Sequence, residues 1–152
     1  MQYRQATSED FPALARIRAA EWETEEYWLW RINAYASGEL HPQKALPPRI
    51  LFVATEGDMV AGFIAGHLTQ RYNCDGELQW IDVIPAYRRR GIARQLTREL
   101  AAWFVQQNAL KICVDVGSDA GRALYSAMGA VNLNEHWMVW NNIETVLKNP
   151  DI

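Results

Sequence analysis

The sequence predicts a mixed α/β (α+β) domain: a mostly antiparallel sheet with one parallel crossover, flanked by helices. Three observations carry this expectation. Short apolar or alternating runs at 50–56, 59–70 and 77–83 follow one another through tight turns, as the strands of an antiparallel meander do. Directly after them Ile92, Leu96, Leu100, Trp103 and Phe104 recur at the three-to-four spacing of an amphipathic helix. A further apolar run at 111–116 follows that helix, so the strands on either side of it pair in parallel through a crossover. With 152 residues the chain has the size of one domain, spanning 1–152 without an internal repeat or linker, and long enough to bury about two-thirds of its unfolded surface.

The elements follow in order. Residues 1–6 alternate as an edge strand would. Thr7 offers an N-cap with Asp10 three residues on, a relative of the capping box, ahead of Phe11, Leu14 and Ile17 in a first helix. A second helical pattern over 21–36 mixes Trp22, Tyr27, Trp28, Trp30 and Ile32 with Glu21, Glu23, Glu25 and Glu26, and Gly38 stops it. Residues 41–48 hold three prolines and read as a loop. The strands at 50–56 and 59–70 form a hairpin about Glu56-Gly57-Asp58, and a turn at 73–76 leads into the third strand, 77–83. After the central helix, which runs to about Asn108, and the strand at 111–116 come a short helix over 120–128, a stop at Gly129 and a final strand over 131–140. Ile143, Val146 and Leu147 give the tail an apolar helical face. Such a face either caps the core or meets a second subunit, and the exposed edge of the fold leaves room for a homodimer.

Composition narrows the function classes. A net charge of −3 argues against a nucleic-acid binder, which neutralises phosphates over a broad basic surface. Cys74 and Cys113 lie in no C-x-x-C frame and no Cys/His cluster of zinc spacing, so no metal is expected. Cys113, inside an apolar run, reads as a small buried hydrophobe rather than a nucleophile. No run has the length of a membrane span, and the N-terminus, acidic by position 9, lacks a signal-peptide pattern. A cytoplasmic protein with no membrane partner is expected.

The stretch with chemistry in it is 83–93, where a strand runs through a short basic turn straight into the central helix. The first N–H groups of a helix have no intrahelical partner and carry partial positive charge, and Gly91 lets a ligand approach the backbone. Together with Arg88, Arg89 and Arg90 this makes a phosphate seat. It is neither a P-loop nor a dinucleotide fingerprint, since both glycine frames are missing.

Arg88-x-x-Gly91-x-Ala93 resembles the Arg/Gln-x-x-Gly-x-Gly/Ala signature of the GNAT N-acetyltransferase superfamily, and Leu78, Ile81, Val83 and Pro85 fall where that family's fourth strand and its exit carry such residues. The resemblance implies acetyl-CoA as acyl donor, its pyrophosphate on Arg88, Arg89, Arg90, Gly91, Ile92 and Ala93. It also implies a pantetheine arm lying like an extra strand between the two diverging parallel strands, beside Ile81 and Val83, with backbone N–H groups near Val83 and Ile84 polarising the thioester carbonyl. A second segment, Gly121-Arg122-Ala123-Leu124-Tyr125-Ser126-Ala127-Met128-Gly129-Ala130, is similar to that family's Ala-x-x-Leu-Tyr-x-x-x-Gly-Phe, which gives Tyr125 the role of protonating the leaving thiolate. Ser118, Gly121 and Ala130 depart from the Asn, Ala and Phe usual at those positions. Ser118 is carried over as a coenzyme contact.

An amine nucleophile must lose a proton. Glu77, opening the third meander strand 11 positions before Arg88, is the first candidate base and Asp82 the rival. Strand alternation sets Glu77 on one face with Gln79, Ile81 and Val83, and Leu78, Trp80 and Asp82 on the other, unless a bulge shifts the register. His67 and His136 are lesser candidates. For the acceptor, Glu25, Glu26, Trp28 and Trp30 suggest a small cationic amine held by carboxylates and aromatic faces. The same residues would also serve as a core helix with a solvated acidic face. The expected activity is acetyl transfer from acetyl-CoA to a primary amine by direct attack in a ternary complex. The contrasting expectation is a non-catalytic module of the same fold that binds an acyl-CoA or a protein partner.

Overall fold

The computed structural model describes residues 1–39 and 45–148. In chain order it contains β1 (Gln2–Gln5), α1 (Phe11–Ala19), α2 (Glu25–Ser37), β2 (Leu46–Glu56), β3 (Met59–Leu68), β4 (Gly76–Val83), α3 (Ile92–Gln106), β5 (Ile112–Asp115), α4 (Asp119–Ala127), β6 (Val131–Asn132), β7 (Trp137–Trp140) and α5 (Glu144–Lys148). The strands form one sheet in the order β1-β2-β3-β4-β5-β7-β6. Every neighbouring pair is antiparallel except β4 and β5, which α3 joins as the crossover. Helices cover both faces. Phe11, Leu14, Trp28, Ile32 and Tyr35 of α1 and α2 pack on Phe63 and Trp80, while Leu96, Leu100 and Phe104 of α3 and Val146 of α5 pack on Ile64, Leu78 and Ile112. The approach of α3 is close enough that a Cβ at Gly66 would stand 2.7 Å from Leu100 Cδ1.

Four departures from the sequence reading have local causes. The second helix starts at 25 rather than 21, because Thr24 is extended and its Oγ1 accepts the Tyr27 N–H at 3.1 Å as an N-cap. Strand β2 begins at Leu46, so Pro47 and Pro48 sit in a strand at an irregularity between the Leu46–Leu68 and Arg49–His67 pairs, where no ladder donor is needed. The rest of that proline loop, 41–44, lies outside the described residues. The final strand is a hairpin, β6 and β7, because Asn134 Oδ1 accepts the N–H groups of both His136 and Trp137 at 3.0 Å and folds the chain back. Finally, β4 carries a bulge at Gln79. Trp80 faces Ala65 and Leu78 faces Gly66, so Gln79 has no opposite residue.

Candidate active site

The bulge and a short parallel pairing open the site. Only Gly76, Glu77 and Leu78 pair with β5, against Ile112, Cys113 and Val114, although β4 continues to Val83. Beyond Leu78 the two strands part around a cleft of about 980 Å³, lined on one wall by β4 from Glu77 to Val83 and on the other by Asp115, Val116, Gly117, Ser118 and Tyr125. The free edge of β4 is polar. Ile84 donates its N–H to Ala61 at 2.9 Å, and Val83 stands opposite Gly62. Since backbone groups alternate along an antiparallel ladder, Asp82 and Ile84 turn theirs to β3, and Ile81 and Val83 turn theirs into the cleft. This corrects Ile84 as a thioester contact, because its amide is already committed. It leaves Ile81 and Val83 as the available donors.

At one end of the cleft stands the N-terminus of α3. Pro85, Ala86 and Tyr87 make a single 3₁₀ turn, after which Arg89 (φ 65°) and Gly91 (φ 78°) are left-handed. Such alternation of hand turns successive N–H groups to one concave side. Gly91 caps α3 without a side chain, and the first turn of α3 contains no acidic residue. Arg88, Arg89 and Ala93 line the cleft. Arg88 is held there by Nε donating to the Val83 carbonyl at 2.9 Å, with Nη2 3.6 Å from Glu21 Oε1. Arg90 instead lies over the Tyr87 ring at 4.6 Å, and the Ile92 side chain is buried in the core, so Ile92 offers the turn only its backbone. Uncapped donors beside cations, with no competing carboxylate in the turn, fit a pyrophosphate.

On the opposite wall, Ser118 caps α4, its Oγ accepting the Gly121 N–H at 3.0 Å. The helix abuts β5 so closely that a Cβ on Gly121 would lie 2.5 Å from the Val116 carbonyl oxygen, which accounts for glycine there. Tyr125 is 5 % exposed, edge-on to Trp140 at 5.8 Å, and its hydroxyl has no hydrogen-bond partner among the described residues. Burial, then the Asp82 and Asp115 carboxylates, push its phenol well above the usual range, with Arg18 opposing.

The remaining wall belongs to β4, α1 and α2. Glu77, 4 % exposed, has Oε1 3.0 Å from Arg71 Nε and 3.7 Å from His67 Nε2, and the other ring nitrogen of His67 shares a hydrogen bond of 2.8 Å with the Tyr35 hydroxyl. The bulge reverses the expected facing, since Glu77 meets the α2 side through His67 and Tyr35, the side on which Trp80 packs. Asp82 is bonded to Arg18 Nη1 at 2.9 Å, and burial pushes its carboxyl up although Arg18 draws it down. His136 is exposed beside Glu135, outside the cleft. None of the four acceptor residues expected from sequence lines the cleft. Trp28 is 2 % exposed in the core, its Nε1 donating to the Trp22 carbonyl at 2.6 Å, while Glu25 and Glu26 are exposed in the first turn of α2 and Trp30 is 58 % exposed. The reason is the later helix start: with Thr24 as cap, the acidic residues occupy the end of α2 that favours them, away from the cleft. Arg18, Glu21, Arg31, Gln79 and Asp115 stand in the cleft instead. No local pattern marks them, since they come from the ends and faces of different elements.

Cys74 and Cys113, far apart in sequence, pack together with Trp137 and Val139, and burial raises both thiols. No metal-binding group of His, Cys, Asp and Glu occurs among the described residues, and no described helix is long and apolar enough to cross a membrane.

A family model described as "Acetyltransferase (GNAT) family" matches residues 3–130. No curated protein sequence matches significantly. Solved structures of similar fold include an acetyltransferase from Thermus thermophilus (18 % identical, covering 91 % of this chain and 96 % of that one, TM-score 0.71). Another is an aminoglycoside 6′-N-acetyltransferase from Acinetobacter haemolyticus (19 % identical, 89 % and 94 % covered, TM-score 0.72). A third is the PaiA N-acetyltransferase from Thermoplasma acidophilum in complex with coenzyme A (16 % identical, 91 % and 97 % covered, TM-score 0.63).

Proposed function

The chain belongs to the acetyltransferase (GNAT) family, and from that premise we propose that it is an N-acetyltransferase, moving the acetyl group of acetyl-CoA to a primary amine by direct attack in a ternary complex. The observation that carries this reading is the cleft that joins an anion seat, an unpaired strand edge and the hydroxyl of a tyrosine whose ring is packed in the core. The Thermoplasma relative, solved with coenzyme A, supports the same ligand class here.

Acetyl-CoA, when bound, supplies a thioester carbonyl open to attack by an amine. The turn at 88–93 holds the pyrophosphate through the first N–H groups of α3 and through Arg88 and Arg89. Ile81 and Val83 offer main-chain groups to the pantetheine amides and an N–H to the carbonyl oxygen as negative charge develops. Gln79 Oε1, buried and without a partner among the described residues, gives an amide N–H a further acceptor. Glu77, turned to the acceptor side by the bulge, takes the ammonium proton through water. The N–C bond forms as the C–S bond breaks, Tyr125, held protonated by burial and two carboxylates, gives its proton to the departing sulfur, and the second proton of the attacking nitrogen passes through water to the phenolate.

Release of free coenzyme A from acetyl-CoA, followed chromatographically against a panel of amines, tests this. Amine-dependent release is expected. Tight acetyl-CoA binding without turnover of any amine would instead identify a non-catalytic binding module.

A further inference from the structure

We propose that the acceptor amine carries a carboxylate and that Arg31 receives it, so that the substrates are amino-acid-like. This rests on the N-acetyltransferase reading and specifies its second substrate.

Along the wall of β4, α1 and α2, carboxylates and guanidinium groups pair. Asp82 is paired with Arg18 at 2.9 Å, Glu77 with Arg71 at 3.0 Å and Glu21 with Arg88 at 3.6 Å. Arg31 has no carboxylate within 4.0 Å among the described residues. Its Nη1 donates to the Tyr27 hydroxyl at 3.1 Å, and its Nε is buried with no hydrogen-bond partner among the described residues. The guanidinium carbon lies 5.7 Å from the ring centroids of both Trp28 and Trp80. It borders the cleft beside Glu77, Gln79 and Trp80.

A half-buried guanidinium with an unsatisfied donor is unfavourable, and aromatic faces offset only part of the lost hydration. Its planar fork of donors matches a carboxylate. A polyamine would bring a second cation up to a guanidinium that no carboxylate among the described residues neutralises. A carboxylate supplies the missing charge, while Glu77 faces the amine of the same molecule.

The test uses the full chain, the twenty common L-amino acids, β-alanine and γ-aminobutyrate, and for each amino acid the amine that lacks its carboxylate. At least one carboxylate-bearing amine should be acetylated with a kcat/KM about 30- to 1,000-fold above its decarboxylated counterpart, the range for a buried charge pair. Arg31→Gln should remove that preference and leave the KM for acetyl-CoA and the thermal midpoint unchanged. Arg31→Lys should restore part of it, since it returns the charge without the fork. Calorimetry on the coenzyme A-saturated protein separates the two readings. Amino-acid binding that Arg31→Gln abolishes upholds the carboxylate site even without turnover, in which case the transferase reading is the one that fails. Equal use of the decarboxylated amines, an unchanged preference in Arg31→Gln, or neither binding nor turnover of any carboxylate-bearing amine overturns the proposal.

Discussion

Tyr125 combines two properties that usually exclude each other: its ring packs against Trp140, and its hydroxyl borders a cleft with no partner among the described residues. Tyr125→Phe keeps the ring and removes the proton, so turnover should fall about 10²- to 10⁴-fold with acetyl-CoA affinity unchanged. Pre-steady-state release of coenzyme A measures this, and an unaltered rate would reduce the hydroxyl to a packing role. The raised phenol fixes the pH behaviour. Its folded value lies above the unfolded value of about 10, so its contribution to stability is complete below that pH and lost as pH rises through the folded value. No alkaline loss of turnover below about pH 10 should therefore trace to Tyr125. Glu77 and Asp82 are separated by a pair of isosteres. Glu77→Gln should lower kcat/KM about 10²- to 10⁴-fold, and the residual rate should climb with pH as free amine accumulates. If Asp82→Asn shows that profile and Glu77→Gln does not, the roles are exchanged.

At the scale of elements, the N-terminus of α3 and the bulge in β4 decide what the cleft can hold. Gly91 has φ 78° and open space where a Cβ would project, so a substitution there is strained but does not clash. Gly91→Ala should lower stability by about 1 kcal/mol and spare coenzyme binding. Gly91→Glu adds a negative charge at the anion seat, and binding of acetyl-CoA by calorimetry should fall beyond measurement while the fold persists. Equal affinity in the wild type and the glutamate variant would move the pyrophosphate elsewhere. The bulge acts differently. By adding Gln79 without an opposite residue it brings Glu77 to the side of the sheet that α1 and α2 cover, and no periodicity argument on a regular strand could have done so.

Over the whole molecule, the apolar face expected of the tail divides: Ile143 and Val146 join the core, while Leu147 is 40 % exposed. Ile143 and Val146 are buried against the α3 side of the sheet, and the Ile143 N–H donates to the Leu110 carbonyl at 2.8 Å. Ile143→Ala should therefore destabilise the isolated chain by about 2–5 kcal/mol, read from chemical denaturation. A loss that depends on protein concentration would instead place the tail at an interface. The surfaces left for a homodimer include the exposed Leu147 and the outer strands of the sheet, β1 and β6.

What the sequence determined by itself is local. Helical spacing marked α3, turn residues marked the β2–β3 hairpin, and Arg88, Gly91 and Tyr125 announced themselves by position within contiguous motifs. Each depends on residues a few places apart, where chain geometry leaves little choice. The charged and polar lining of the cleft was decided only in three dimensions. Arg18 comes from the end of α1, Arg31 from the middle of α2, Gln79 from a bulge and Asp115 from the end of β5. Whether a guanidinium such as Arg31 meets a carboxylate is not written in its neighbours along the chain. The Thr24 cap, the register slip at Gln79 and the packing of Trp28 into the core set the partners of each charge, and those are the sum of many weak contacts between segments remote in sequence.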